Sequence, residues 1–232
     1  MLKNATPAQE FIKYALLVGA IQFIPRELSN GRISPYFFNS GKFDSGKKVA
    51  ELTAAYARVI CENLRGGFAF DLMYGIPERR ESVVSPIAIM LDTLGIGDVS
   101  FCTSRKEPKE HGEGDVLIGA PIAPEHGVLI IGDDITDGEA EREAVEFIRE
   151  RGGKPIGLVI AFDRQERDGM MGGLSATQRF EQKYGVRVRS IATFTDLIDV
   201  LEDRLGDGLH DRFGYATVLK KLLAYRKEYG VT

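Results

Sequence analysis

The chain predicts an α/β protein with a mainly parallel, five-stranded sheet covered by helices on both faces. Five short apolar runs, at 70–74, 99–102, 128–131, 156–162 and 186–192, are bounded by Gly, Pro or charge, as strands buried on both faces are. Helical patterns lie between them, and this alternation is what a parallel sheet with crossover helices requires. At 232 residues the chain can bury one substantial core, so a single domain over 1–232 with a small appended piece is expected.

Taken in order, residues 7–19 carry Phe11, Ala15, Leu16 and Val18 behind Thr6-Pro7, a capped start for a first helix. A longer helix is expected over 45–64, with Val49, Leu52, Ala55, Tyr56, Val59 and Ile60 on one face. The strand at 70–74 leads to a helix at 83–94, and that at 99–102 to the segment 104–115, SRKEPKEHGEGD, which has no apolar residue. Such a segment is a solvated loop, and loops of this length are usually functional or disordered. The remaining strands precede helices at 140–151, 175–184 and 194–203, and 208–230 reads as a terminal helix or helix pair.

Composition excludes several classes. With 44% hydrophobic and 28% charged residues the chain reads as a soluble globular protein. No apolar run approaches the roughly 20 residues of a membrane span, and the start MLKNATPAQEF lacks the build of a signal peptide, so a cytoplasmic setting is expected. Cys61 and Cys102 have neither CxxC spacing nor neighbouring histidines, and both read as buried thiols. A net charge of −4 argues against an extended nucleic-acid surface.

The run from Val128 to Ala140 is the most informative. Four apolar residues feed Gly132-Asp133-Asp134, a Thr136-Asp137-Gly138 turn and an amphipathic stretch, that is, a strand, a ligand loop and a helix. Ligands of parallel sheets sit at such strand tips, where the next helix offers unpaired N–H groups to an anion. Acids and a Thr-x-Gly turn there suggest a sugar-phosphate site. The plainer reading keeps Asp133 and Asp134 as caps of the helix that follows.

Four segments then carry a resemblance: Asn30-Gly-Arg-Ile-Ser-Pro-Tyr-Phe-Phe-Asn39, Ser104-Arg-Lys-Glu-Pro-Lys-Glu-His-Gly112, Asp133-Asp134-Ile-Thr-Asp-Gly138 and Asp163-Arg-Gln-Glu-Arg167. In this order they resemble the orotate phosphoribosyltransferase family, over residues 8–230. The resemblance implies a type I phosphoribosyltransferase fold with a small hood over residues 1–40 and a mobile loop over 104–115. It implies transfer of phosphoribose from 5-phosphoribosyl-1-pyrophosphate (PRPP) to orotate, with Mg²⁺ held mainly by pyrophosphate and water and no protein metal ligands assigned. It also implies a homodimer whose loop acts across the interface, with Arg105, Lys106, Lys109 and His111 closing over pyrophosphate. Lys109, His111 and Asp133 take catalytic roles by this likeness. Arg79, Asp134, Thr136, Asp137, Gly138, Glu139 and Ala140 join the PRPP site, and Phe37, Phe38, Thr136 and Arg164 meet orotate. One of the two phenylalanines reads equally well as core.

The chain departs from the family's pattern in places that cluster. The acidic pair is displaced by one residue to Asp133-Asp134, and such a shift in a strand reverses the face a side chain takes. The phosphate cradle reads Thr136-Asp-Gly-Glu-Ala140, where the family has Thr-Ala-Gly-Thr-Ala. Six carboxylates between Asp133 and Glu143 face only Arg142. Each close like-charge pair costs on the order of 1–4 kcal/mol at intermediate dielectric, unless the acids turn outward and leave the backbone to the phosphate. The family's Tyr-Lys-Gly-Ile-Pro aligns with Glu78–Ser82, and its early lysine with Ser29. A non-catalytic subunit that lends its loop to a partner, and a PRPP-sensing regulator, are the alternative readings.

Overall fold

The computed structural model describes residues 5–64, 69–77, 81–105, 116–167, 173–206 and 214–231. Helix α1 (Pro7–Leu17) starts as expected: the Thr6 hydroxyl accepts from Gln9 N–H, Gln9 returns a bond to Thr6 N–H, and Pro7 sits where no donor is needed. Four two-residue strands follow, β1 (Ile21–Gln22), β2 (Arg26–Glu27), β3 (Ile33–Ser34) and β4 (Phe37–Phe38), pairing antiparallel as β1 with β4 and β2 with β3. They form the hood. Helix α2 (Gly46–Leu64) then buries Leu52, Tyr56, Ala57 and Ile60.

The central sheet contains β5 (Leu72–Gly75), β6 (Ser100–Ser104), β7 (Leu117–Gly119), β8 (Gly127–Gly132), β9 (Lys154–Asp163) and β10 (Arg187–Thr193), in the order β10-β9-β8-β5-β6-β7. Five are parallel. The sixth, β7, is antiparallel to β6 and was not among the five expected, because Leu117–Gly119 is too short to stand out as an apolar run. The first strand also begins at Leu72 rather than Phe70.

Helices α3 (Glu81–Thr93), α4 (Glu139–Glu150), α5 (Ala176–Tyr184), α6 (Phe194–Gly206) and α7 (Tyr215–Tyr229) complete the chain. One core lies under α1, α2, α3, α6 and α7, with Met73, Leu129, Ile131, Val159 and Ala161 from the sheet. The other lies under α4 and α5, with Leu72, Tyr74, Cys102, Val128, Ile130, Leu158 and Ile160. Alternate strand residues thus serve opposite faces. Cys102 is buried as expected, whereas Cys61 is only half-buried, being at the edge of α2's apolar face.

Strand order reverses direction at β5, whose parallel neighbours are β6 on one side and β8 on the other. A crevice opens at the carboxyl ends of strands where that happens.

Candidate active site

Strand β8 ends at Gly132, whose carbonyl accepts the Tyr56 hydroxyl at 2.6 Å. A Cβ on Gly132 would stand 3.3–3.5 Å from Ile76, Leu158 and Ile160, so an acid there would enter an aliphatic pocket. The first carboxylate therefore comes from Asp133, one residue past the strand. Its carbonyl accepts Ala161 N–H and Phe162 N–H at 2.8 and 3.0 Å, and its Oδ2 accepts the Ser40 hydroxyl at 2.6 Å. Sequence reasoning missed Ser40, which adjoins the quoted hood segment but carries no pattern of its own.

Asp134 takes the other direction. Its Oδ2 lies 3.7 Å from Nη1 of Arg164, which is 2% exposed. Arg164 Nη2 donates to Ser34 Oγ at 2.8 Å and stands 3.0 Å from Glu166 Oε1, and its guanidinium covers the Tyr36 ring at 4.5 Å. Burial works against the Arg164 charge, but Tyr36, Glu166 and Asp134 outweigh it and hold the group above the ordinary arginine value. Among the described residues, Nε and Nη1 of Arg164 find no hydrogen-bond acceptor.

Glu166 organises the hood around this cation. It accepts the Tyr36 hydroxyl at 2.8 Å, the Tyr225 hydroxyl at 3.0 Å and Arg32 Nη1 at 3.2 Å. Asp163 at the tip of β9 accepts Gln165 N–H and the Thr177 hydroxyl, while burial raises its carboxyl above the usual range.

The cradle follows at Thr136–Ala140. Gly138 has φ +75°, a left-handed conformation suited to glycine, and with no side chain it caps none of the α4 amides. Asp137 Oδ1 instead accepts Glu139 N–H at 3.1 Å, and Glu139 turns to Arg142 at 3.7 Å with its side chain 70% exposed. Thr136 Oγ1 lies 3.1 Å from Ser29 Oγ of the hood, tying the β2–β3 turn to the loop. A cleft of about 470 Å³ opens beside these residues, and Ser29, Ser104, Arg105, Thr136, Asp137, Glu139 and Ala140 line it. Glu141 and Glu143 also reach its wall.

Phe38 is 4% exposed and stacks on Phe162, so it is the core member of the pair. Phe37 is half-buried, with the Arg26 guanidinium 4.1 Å above its ring. Asp133, Asp134, Phe37, Phe38 and Arg164 line none of the cleft beside the cradle; Asp133 and Arg164 contact Ser40 and Ser34 instead. Arg79, Lys106, Lys109 and His111 fall outside the described residues. His126 accepts Ala123 N–H and belongs to a turn.

A sheet with a switch point, a hood docked over it and a strand–loop–helix carrying acids and a glycine turn define a phosphoribosyltransferase of the type I fold. The solved orotate phosphoribosyltransferase of Francisella tularensis matches with a TM-score of 0.76 and 28% identity, over 95% of this chain and 99% of that one. No family model matches the chain. Curated relatives named orotate phosphoribosyltransferase are 41% identical over 226 residues in Thioalkalivibrio sulfidiphilus and 42% over 223 in Laribacter hongkongensis, covering 97% and 96% of this chain and 99% and 97% of theirs. The chain belongs to the orotate phosphoribosyltransferase family.

Proposed function

We propose that the protein transfers the 5-phosphoribosyl group of PRPP to orotate, giving orotidine 5′-phosphate and pyrophosphate. The observation that carries this reading is the Thr136–Ala140 loop at the start of α4, beside the switch-point cleft, in a chain of this family. In the reaction the bond from ribose C1 to the pyrophosphate oxygen breaks, a bond from C1 to the base nitrogen forms, and that nitrogen's proton is released. Charge leaves with pyrophosphate while the ribose becomes cation-like, so the protein's task is placement and electrostatic support.

Asp133, held by Ser40, binds the ribose hydroxyls. Backbone N–H groups of Thr136, Asp137, Gly138 and Ala140 receive the 5′-phosphate, as helix starts do, and that of Glu139 joins them only when Asp137 releases it. Arg105, with Arg79, Lys106, Lys109 and His111, neutralises the departing pyrophosphate. Phe37 and the unspent donors of Arg164 face the base, Phe38 stays in the core on Phe162, and Asp134 sets the position of Arg164.

Mg²⁺, when bound, offsets the charge of the pyrophosphate. Among the described residues no group of three or more His, Cys, Asp or Glu side chains is arranged to hold a metal. Such an ion would keep its waters and use substrate phosphates with one or two carboxylates, and Asp133 would be such a carboxylate.

The working unit in this reading is a cytoplasmic homodimer acting on soluble substrates, with neither nucleic acid nor membrane involved. No helix among the described residues is long and apolar enough to cross a membrane. Support for a second copy comes from one side of the sheet. Ile118 is in register with Thr103, so it shares a face with Thr103 and Phe101, the face that α3 covers. Phe101 and Ile118 are exposed there, and so is Ile89 on α3.

The test is steady-state turnover of purified protein with PRPP, orotate and Mg²⁺, reading orotidine 5′-phosphate formed. Turnover of roughly 1–10³ s⁻¹ is expected of an ordinary enzyme. The acids on the cleft wall favour one second reading, a subunit that lends its loop to an intact partner. No product from the protein alone, with product restored by an active relative whose own loop is disabled, would establish that reading instead.

A further inference from the structure

We propose that Arg26 reads the carboxylate of the incoming base and so determines specificity for an anionic pyrimidine; this rests on the transferase reading above. Arg26 and Ser34 are directly opposite in the β2–β3 ribbon, so their side chains share a face. Ser34 on that face touches Arg164, and the Arg26 guanidinium lies 4.1 Å over the Phe37 ring centroid. The two guanidiniums therefore approach the base side from one ribbon.

Their charges are spent differently. Arg164 is buried and faces two carboxylates, Glu166 and Asp134. Arg26 is exposed, and among the described residues no carboxylate stands within ion-pair distance and no side-chain hydrogen bond engages it. Its sequence neighbour Glu27 projects to the opposite face of the ribbon, as strand alternation requires. The Phe37 ring holds the Arg26 guanidinium by a cation–π contact of 4.1 Å to its centroid, leaving the N–H fork for bidentate contact with a carboxylate. At the far end of the ribbon, Ser29 rests on Thr136 of the cradle, so the same hairpin spans from phosphate loop to base.

The test compares two nucleotides that differ only in the carboxylate, orotidine 5′-phosphate and uridine 5′-phosphate, by calorimetric titration of wild type, Arg26→Gln and Arg26→Lys. Arg26→Gln is expected to lose about tenfold in affinity for orotidine 5′-phosphate, the scale of one charge-assisted contact, and to hold uridine 5′-phosphate within about twofold. Arg26→Lys should recover part of the loss, since it restores charge but not the fork. Phe37→Leu, which removes the contact under Arg26 together with its own contact to the base, should weaken orotidine 5′-phosphate more than uridine 5′-phosphate. Equal loss for both nucleotides, or none for either, would overturn the assignment while leaving the transferase reading intact. A wild type that binds neither nucleotide would overturn both.

Discussion

A carboxylate in a phosphate cradle weakens binding only if it faces the phosphate or takes the phosphate's donors. Glu139 does neither, being turned to solvent and Arg142. Asp137 does the second, because its carboxylate accepts the N–H of Glu139, an amide that would otherwise be open at the start of α4. Asp137→Ala should therefore tighten PRPP about tenfold in calorimetry with Mg²⁺ present, and Glu139→Thr should change it by less than about threefold. Equal gains from both would mean that charge alone, and not the occupied amide, limits binding. Glu166 presents the converse case, a carboxylate that buried Arg164 and half-buried Arg32 require. Glu166→Gln leaves Arg32 and Arg164 short of a counter-charge and should cost about 3–5 kcal/mol in urea unfolding. A loss below about 1 kcal/mol would show that water reaches the cluster.

At the scale of elements, the layer formed by β5, β6 and α4 responds to alkali. Tyr74 on β5 and Cys102 on β6 are both buried under α4, and burial pushes each up to about 12. Unfolded, a thiol titrates near 8.5 and a tyrosine near 10. The folded state thus keeps protons that the unfolded chain gives up, so stability is full below about pH 8.5 and falls as pH rises towards 12, by up to about 1.4 kcal/mol per pH unit for each ionised group. Cys102→Ala should flatten that decline between pH 9 and 11 relative to wild type, measured by urea unfolding at each pH. An unchanged slope would place the effect elsewhere. The strands of this layer were legible because their apolar runs are short and bounded, and that of β5 is buried on both faces. Strand β7 was not, since three residues paired only to β6 leave no periodic trace.

For the whole molecule, the apolar face of α3, β6 and β7 is where a second copy is proposed to dock. Ile118→Lys should convert the dimer to monomer in analytical ultracentrifugation and lower turnover, because a loop that acts across the interface loses its target. A wild type that sediments as a monomer, or a variant that remains a dimer, would place the interface elsewhere. The alternation of strands and helices, the position of the ligand loop at a strand tip and the four ordered segments were all determined by sequence, because each depends on spacing within a short stretch. Only the tertiary structure decided that Asp134 faces Arg164, that Asp137 takes an α4 amide, that Phe38 is core and that Arg26 lies over Phe37. The orientations of Phe38 on Phe162 and of Asp134 toward Arg164 depend on partners far along the chain, as do the contacts of Ser40 with Asp133 and Ser34 with Arg164, 93 and 130 residues apart. A local pattern can place a residue at a site, but the rotation of its side chain is set by what the fold brings opposite it.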